Sequence, residues 1–339
     1  MRIVVDPSAP DVEVLRKAVA VLRASGLVAV PTETVYGLGA LGTDPVALAR
    51  VFAAKGRPTT HALILHVLDL DAARPLVAGV PALAERLAAA FWPGPLTMVL
   101  PRSELVPDAV TGGGPTVAIR APSHPVVRAL LRLLDAPLAA PSANRYQSVS
   151  PTRAIHVERS LGAAVDLVLD AGPCERGIES TVVDLTGPVP RILRLGAVSA
   201  EELRAVVGAL EVHVHLVDPG VAHASPGLDA RHYAPRGRIV FADEAEGGLA
   251  RAEAVLHAEP GAKIALLLRR PPVAATPPKG CSLRVLGDDP VTYARNLYDA
   301  LHDADEQGAT LLIVEQVPHL PAWAAVRDRL SRASNINET

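Results

Sequence analysis

Apolar and polar positions along this chain repeat with two different periods, and the two alternate. Val12, Leu15, Val19 and Leu22 recur at helical spacing, and Gly26 is placed to close that helix. The run at 27–30 is short, apolar and partly β-branched, so it predicts a buried strand that Pro31 ends. Asp44-Pro45 marks the next helix, with a carboxylate as N-cap and proline at the first helical position. That helix runs out near Ala54, where Gly56 supplies a stop. The same reading places strands at 62–67, 96–100, 116–120, 166–169, 181–185 and 191–195, and helices from Pro81 and over 125–134. Ser150-Pro151 predicts a further helix start, and Ser199 with Glu202 makes a capping box.

The pattern decays over 212–236 and then resumes. Strands are predicted at 239–242, 264–268, 283–286 and 310–317, and helices near 249–257, over 291–306 and over 322–332. Val291, Ala294, Leu297 and Leu301 make one apolar helix face. Strands alternating with helices imply an α/β protein with a mixed sheet. The first domain is read as 1–211, an interdomain linker as 212–237, and a smaller α/β domain as 238–339. The last residues, 335–339, are expected to fray.

Composition narrows the function classes. At 339 residues the chain can bury two cores. A net charge of −3 gives no broad basic field for nucleic acid, and 3% aromatic content leaves few stacking platforms. Cys174 and Cys281 are too far apart to form a metal or redox motif, and each reads as a small apolar residue. No apolar leader opens the chain and no apolar run reaches the length of a membrane span, so a soluble, cytoplasmic chain is expected.

The candidate chemistry is cationic. Only four of the 33 basic residues are lysines, and one of them, Lys55, stands two residues from Arg57. A compact ammonium beside a planar guanidinium suits polyphosphate binding; the plainer reading is two solvated cations offsetting a helix dipole. Loops after strand ends are where α/β folds place ligands. Here they carry Thr32, Thr34, Tyr36, Arg120, Ser142, Asn144, Ser180, Arg194 and Arg231-His232-Tyr233. Such an inventory binds and polarises anions, and its lack of a Ser-His-Asp set or paired carboxylates argues against a protein nucleophile. Each residue also has a structural reading. His66 fits a core histidine, Arg120 and Arg194 surface charges, Ser150 an N-cap, Ser180-Thr181 plain β-propensity, and His213-x-His215 a solvated segment. The glycine run 112–114 lacks the helix and lysine of a phosphate-binding loop.

Taken in order, these motifs resemble the YrdC-like family, in its two-domain form. The resemblance rests on Pro31-Thr32-Glu33-Thr34-Val35-Tyr36-Gly37-Leu38-Gly39, on Lys55-x-Arg57 with Ser142-x-Asn144, on Gly177-Ile178-Glu179-Ser180-Thr181-Val182-Val183-Asp184, and on Ser225-Pro226-Gly227 with Arg231-His232-Tyr233-Ala234-Pro235. It implies a YrdC-like domain with a twisted mixed sheet and flanking helices, followed by a Rossmann-like α/β domain. It also implies synthesis of L-threonylcarbamoyladenylate from L-threonine, bicarbonate and ATP, with Mg²⁺, as the first step toward threonylcarbamoyl-adenosine in tRNA. A hand-off of the product to a tRNA-modifying transferase complex is implied, with no membrane and no stable nucleic-acid binding. Thr34, His66, Arg120, Ala140 and Ser180 would contact threonine. Arg57, His61, Thr116, Ser142, Ser150, Arg194 and Tyr233 would contact the nucleotide, with Lys55 and Asn144 beside its phosphates. The linker bearing Tyr233 would close as a lid. His61-Ala62 departs from the Asn-Pro common in the family. The competing readings are a non-catalytic RNA-binding or ribosome-associated module, and a carbamoyl hydrolase or transferase on the same fold.

Overall fold

A computed structural model gives the fold and describes residues 1–213, 232–272 and 277–334. The chain divides into two compact units, Met1–Tyr146 with Ser150–Asp229, and Gln147–Val149 with Ala230–Thr339.

The first unit is built on β1 (Arg2–Val4), β2 (Val28–Val30), β3 (Gly37–Leu41), β4 (Ile64–His66), β5 (Leu96–Pro101), β6 (Thr116–Arg120), β7 (Leu138–Ala139), β8 (Leu167–Asp170), β9 (Thr181–Asp184), β10 (Arg191–Arg194) and β11 (Glu211–Val212). They form one mixed sheet in the order β1-β8-β2-β3-β7-β4-β6-β5-β9-β10-β11. Side chains of a strand point alternately to its two faces, and both faces here are apolar. Val28, Val30, Leu167 and Leu169 join one cluster with Leu15, Leu22, Leu130 and Leu134 from helices Val12–Arg23 and Pro125–Leu134. Ala29 and Val168, one residue out of phase, join the other, with Leu48 and Phe52 of helix Pro45–Lys55. A sheet covered on both faces leaves its strand ends and connecting loops for chemistry.

Several local expectations hold and some are corrected. Asp44 caps helix Pro45–Lys55 by accepting from the Val46 amide, and Gly56 closes it in the left-handed region at φ 62°. Ser199 and Glu202 form the expected capping box. Ser25, not Gly26, takes the left-handed position after helix Val12–Arg23. The stretch after Pro31 is not all loop: β3 pairs antiparallel with β2. Gly37 and Gly39 serve that sheet, since a Cβ on Gly39 would stand 2.9 Å from the Val28 carbonyl oxygen. Ser150 does not cap a helix. Helix Ala154–Leu161 begins after Arg153, and the Ser150 hydroxyl is engaged elsewhere.

The second unit is a parallel sheet of β12 (Arg238–Ala242), β13 (Ile264–Leu268), β14 (Cys281–Val285) and β15 (Leu311–Glu315), in the order β12-β15-β13-β14. Val240, Leu266 and Ile313 pack against Leu249 and Ala252 of helix Ala245–Ala258. Helix Pro290–Gln307 is capped by Asp289 and closed by Gly308. Its buried face is wider than the spacing predicted, adding Tyr293 and Tyr298, whereas Val291 in its first turn stays exposed. Among the described residues, no helix is long and apolar enough to cross a membrane. The motif Ser225-Pro226-Gly227, Arg231 and His215 lie outside the described residues, as does most of the predicted linker and lid.

Candidate active site

The end of helix Pro45–Lys55 sets the first group. Lys55 is its last residue before the Gly56 turn and is buried, 3% exposed. Nζ donates to the carbonyl oxygens of Ser142 (2.6 Å) and Asn144 (2.7 Å). The Ser142 carbonyl also accepts from the Asn144 amide, and the Tyr146 amide donates to the Lys55 carbonyl. The two short motifs, 87 residues apart in sequence, are therefore one hydrogen-bonded unit. Burial, with Arg57 nearby, pulls the Lys55 ammonium well below its usual pKa. Arg57 is also buried, and its Nη2 donates to the Ala62 carbonyl at 3.0 Å. The reading of both cations as solvated surface charges is thereby excluded. His61 is buried edge-on against Tyr146, with ring centroids 5.6 Å apart.

The second group lies across the sheet. Register places His66 opposite Arg120 on the parallel pair β4–β6, and Arg120 opposite Thr97 on the antiparallel pair β6–β5. Arg120 is 4% exposed. Its Nε donates to the Gly94 carbonyl at 3.3 Å and its Nη1 to Thr34 Oγ1 at 2.9 Å. Thr34 is held in turn by Thr32, whose Oγ1 lies 2.9 Å away and donates to the Val35 carbonyl. Glu33 brings its Oε1 within 2.6 Å of Arg120 Nη2. That ion pair lies off the guanidinium N–H direction, so neither carboxylate oxygen takes a hydrogen bond among the described residues. His66 is likewise buried. Desolvation, with the Arg120 charge beside it, pulls its pKa down to about 3, so the imidazole is neutral at ordinary pH.

A third group completes the row. Thr97 Oγ1 is 2.8 Å from Ser180 Oγ, and Arg194 donates from Nη2 to that hydroxyl and from Nε and Nη2 to the Ser180 carbonyl. Arg194 and Ser180 are buried, which removes their surface-charge and bare-propensity readings. Ser150 Oγ donates to Glu179 Oε1 at 2.7 Å, one residue before Ser180. Ala140 joins β7 to this region, its amide donating to the Ile64 carbonyl.

Thr116 opens β6 whereas Arg120 ends it, so about 13 Å of strand separates them. Tyr233 belongs to the second unit, where it is buried against Tyr298, ring centroids 5.6 Å apart, with the Arg329 guanidinium 4.9 Å from its ring. His213 lies 3.4 Å from Glu211 rather than in a metal cluster. Among the described residues, no group of three or more His, Cys, Asp or Glu is arranged to hold a metal ion. Sequence reasoning named no role for Glu33, Thr97, Tyr146 or Glu179. A signal existed for Thr97, a hydroxyl inside the apolar run of β5, and for Glu33, an acid in a stretch with no helix start for it to cap.

Comparisons with known proteins identify relatives of the chain. Residues 20–196 match the Sua5/YciO/YrdC family model, described as telomere recombination. Residues 198–335 match the model described as threonylcarbamoyl-AMP synthase, C-terminal domain. The chain belongs to the Sua5/YciO/YrdC family. A threonylcarbamoyl-AMP synthase of Pyrococcus abyssi is 39% identical over 324 residues, 94% of each chain. One from Bacillus subtilis is 36% identical, covering 94% of this chain and 92% of its own. The crystal structure of P. abyssi Sua5 complexed with L-threonine superposes with a TM-score of 0.90 at 36% identity, over 98% of this chain and 97% of that one. Sua5-type architecture thus accounts for both units, the mixed sheet and the parallel one.

Proposed function

We infer that this chain makes L-threonylcarbamoyladenylate from L-threonine, bicarbonate and ATP, releasing pyrophosphate, as the first step toward threonylcarbamoyl-adenosine in tRNA. The observation that carries the reading is the buried row formed by His66, Arg120, Thr97 and Ser180, with Arg194 on the Ser180 hydroxyl, together with the hydrogen-bonded unit that Lys55 makes with Ser142 and Asn144. It is supported by the family membership, by the relatives' names and by the likeness to Sua5 complexed with L-threonine.

The chemistry follows from the groups. A planar guanidinium suits the substrate carboxylate, and Arg120 is the buried one on the Thr34 side. Thr34, His66, Ala140 and Ser180 complete the threonine end in this reading. The threonine amine attacks a one-carbon acceptor derived from bicarbonate, and the resulting carbamate displaces pyrophosphate from the ATP α-phosphate. Negative charge grows on phosphate oxygens in that step, so Lys55, Arg57 and Arg194 act as a fixed electrostatic clamp. Ser142, Asn144, Ser150, His61 and Thr116 line the nucleotide end. The described residues offer no carboxylate cluster for Mg²⁺, so we place the ion with the phosphates of ATP and route no step through it. The same reading puts the enzyme in the cytoplasm and hands its adenylate to a tRNA-modifying transferase.

The test is pyrophosphate release with threonine, bicarbonate and ATP omitted one at a time. Turnover that requires all three is expected. ATP hydrolysis indifferent to threonine, or RNA binding with no turnover, would sink the reading.

A further inference from the structure

We propose that Glu33 is a threonine-recognition residue, its carboxylate receiving the substrate's α-ammonium while Arg120 holds the α-carboxylate. The inference rests on threonine binding at Arg120.

Glu33 is 2% exposed, and neither of its oxygens takes a hydrogen bond among the described residues. A buried ionised carboxylate is costly unless it is both paired and hydrogen-bonded. Here the pairing, to Arg120 Nη2, is present and the hydrogen bonds are not. His66, in register with Arg120, shows the same deficit, since its Nδ1 has no hydrogen-bond partner among the described residues. Native interiors seldom leave such groups unmet, and two beside one guanidinium mark the place of a polar ligand.

The ligand's chemistry can be read from the mismatch. Arg120 is pinned at Nε by Gly94 and at Nη1 by Thr34, and its remaining nitrogen already faces an anion. A simple carboxylate entering beside it would meet Glu33 as a like charge, which is a penalty against hydroxy and keto acids. An α-amino acid carries a cation one carbon from its carboxylate. That ammonium cancels the repulsion and supplies N–H donors to Glu33 and to the neutral His66. Glu33 thus selects an amino acid rather than any small carboxylate, and fixes the nitrogen that becomes the nucleophile.

Calorimetric titration of the full chain separates this role from support of Arg120. The two ligands are L-threonine and 2,3-dihydroxybutanoate, which keeps the carboxylate and the side-chain hydroxyl and lacks the ammonium. The wild-type chain is expected to prefer threonine by ~10²-fold or more, because the analogue's 2-hydroxyl can donate to Glu33 but brings no positive charge to offset two facing carboxylates. Glu33→Gln is expected to shrink that preference to within about threefold, mainly by weakening threonine. Glu33→Asp, with its charge on a shorter arm, should restore part of it. If Glu33→Gln weakens both ligands by one factor, or neither, the proposal fails. Should the Gln variant not fold, a wild-type preference near one, or an Asp variant whose own preference is near one, overturns it just as well. A wild-type chain that binds neither ligand overturns the threonine reading itself.

Discussion

The carbonyl oxygen of Ser142 accepts a 2.6 Å hydrogen bond from Lys55 Nζ, and the lysine as a whole is 3% exposed. The contact ties the end of a helix to a loop that follows β7, and it explains why a lysine stands in a chain that otherwise prefers arginine. Two convergent carbonyls suit a tetrahedral ammonium and not a planar fork.

Lys55→Arg should therefore fail about as badly as Lys55→Ala. Each is expected to lower turnover by ~10²-fold or more, through lost charge placement and a disturbed loop. Pyrophosphate release under saturating substrates measures this. An arginine variant within tenfold of wild type would show that only the charge matters.

Arg57 sits two residues on, with Nη2 on the Ala62 carbonyl. Arg57→Ala should cut kcat by roughly 10²–10³-fold if its charge stabilises the phosphoryl transition state. A near-normal rate would remove it from the mechanism.

His66 predicts a pH dependence of stability. Its folded pKa, about 3, is below the ordinary value of 6.5 because of burial first and Arg120 second. The unfolded chain then binds the proton more readily than the folded one. Stability is full above about pH 6.5 and is lost as pH falls toward 3, by on the order of 4–5 kcal/mol over the whole window. Urea midpoints at pH 7 and pH 4.5 should diverge less in His66→Gln than in the parent. Equal divergence would mean that His66 is not the titrating group.

Ser150 predicts a comparison with Ser199. Ser150→Ala removes a buried donor from Glu179 and should cost about 1–3 kcal/mol, more than the loss of an exposed capping hydroxyl at Ser199, about 1 kcal/mol. Thermal melting of the two variants decides it. Equal shifts would show that the Ser150–Glu179 hydrogen bond contributes no more than a capping hydroxyl does.

Much of the fold could be read directly. The strand 116–120 and the helix 125–134 match the structure residue for residue, since apolar period and proline punctuation coincide there. Strand β3 could not be read, because Gly37 and Gly39 look like a turn until β2 and Leu138 are known to press against them. Ser150 misled for a related reason. Its cap-like Ser-Pro context is local, whereas its partner Glu179 lies 29 residues away. Motifs also listed side chains without their partners, so Glu33 passed as one letter in a run.

Sequence alone determined most of the longer helices and strands, the α/β class, the division into a larger and a smaller half, and the family that the motifs belong to. Those properties are written in local spacing and residue type, which act over a few positions. Only the tertiary structure decided that Lys55 caps two carbonyls, that Arg120 pairs with Glu33, and that His66 is held neutral. Each depends on strand register and burial, which bring together residues tens of positions apart and set the dielectric in which their charges meet.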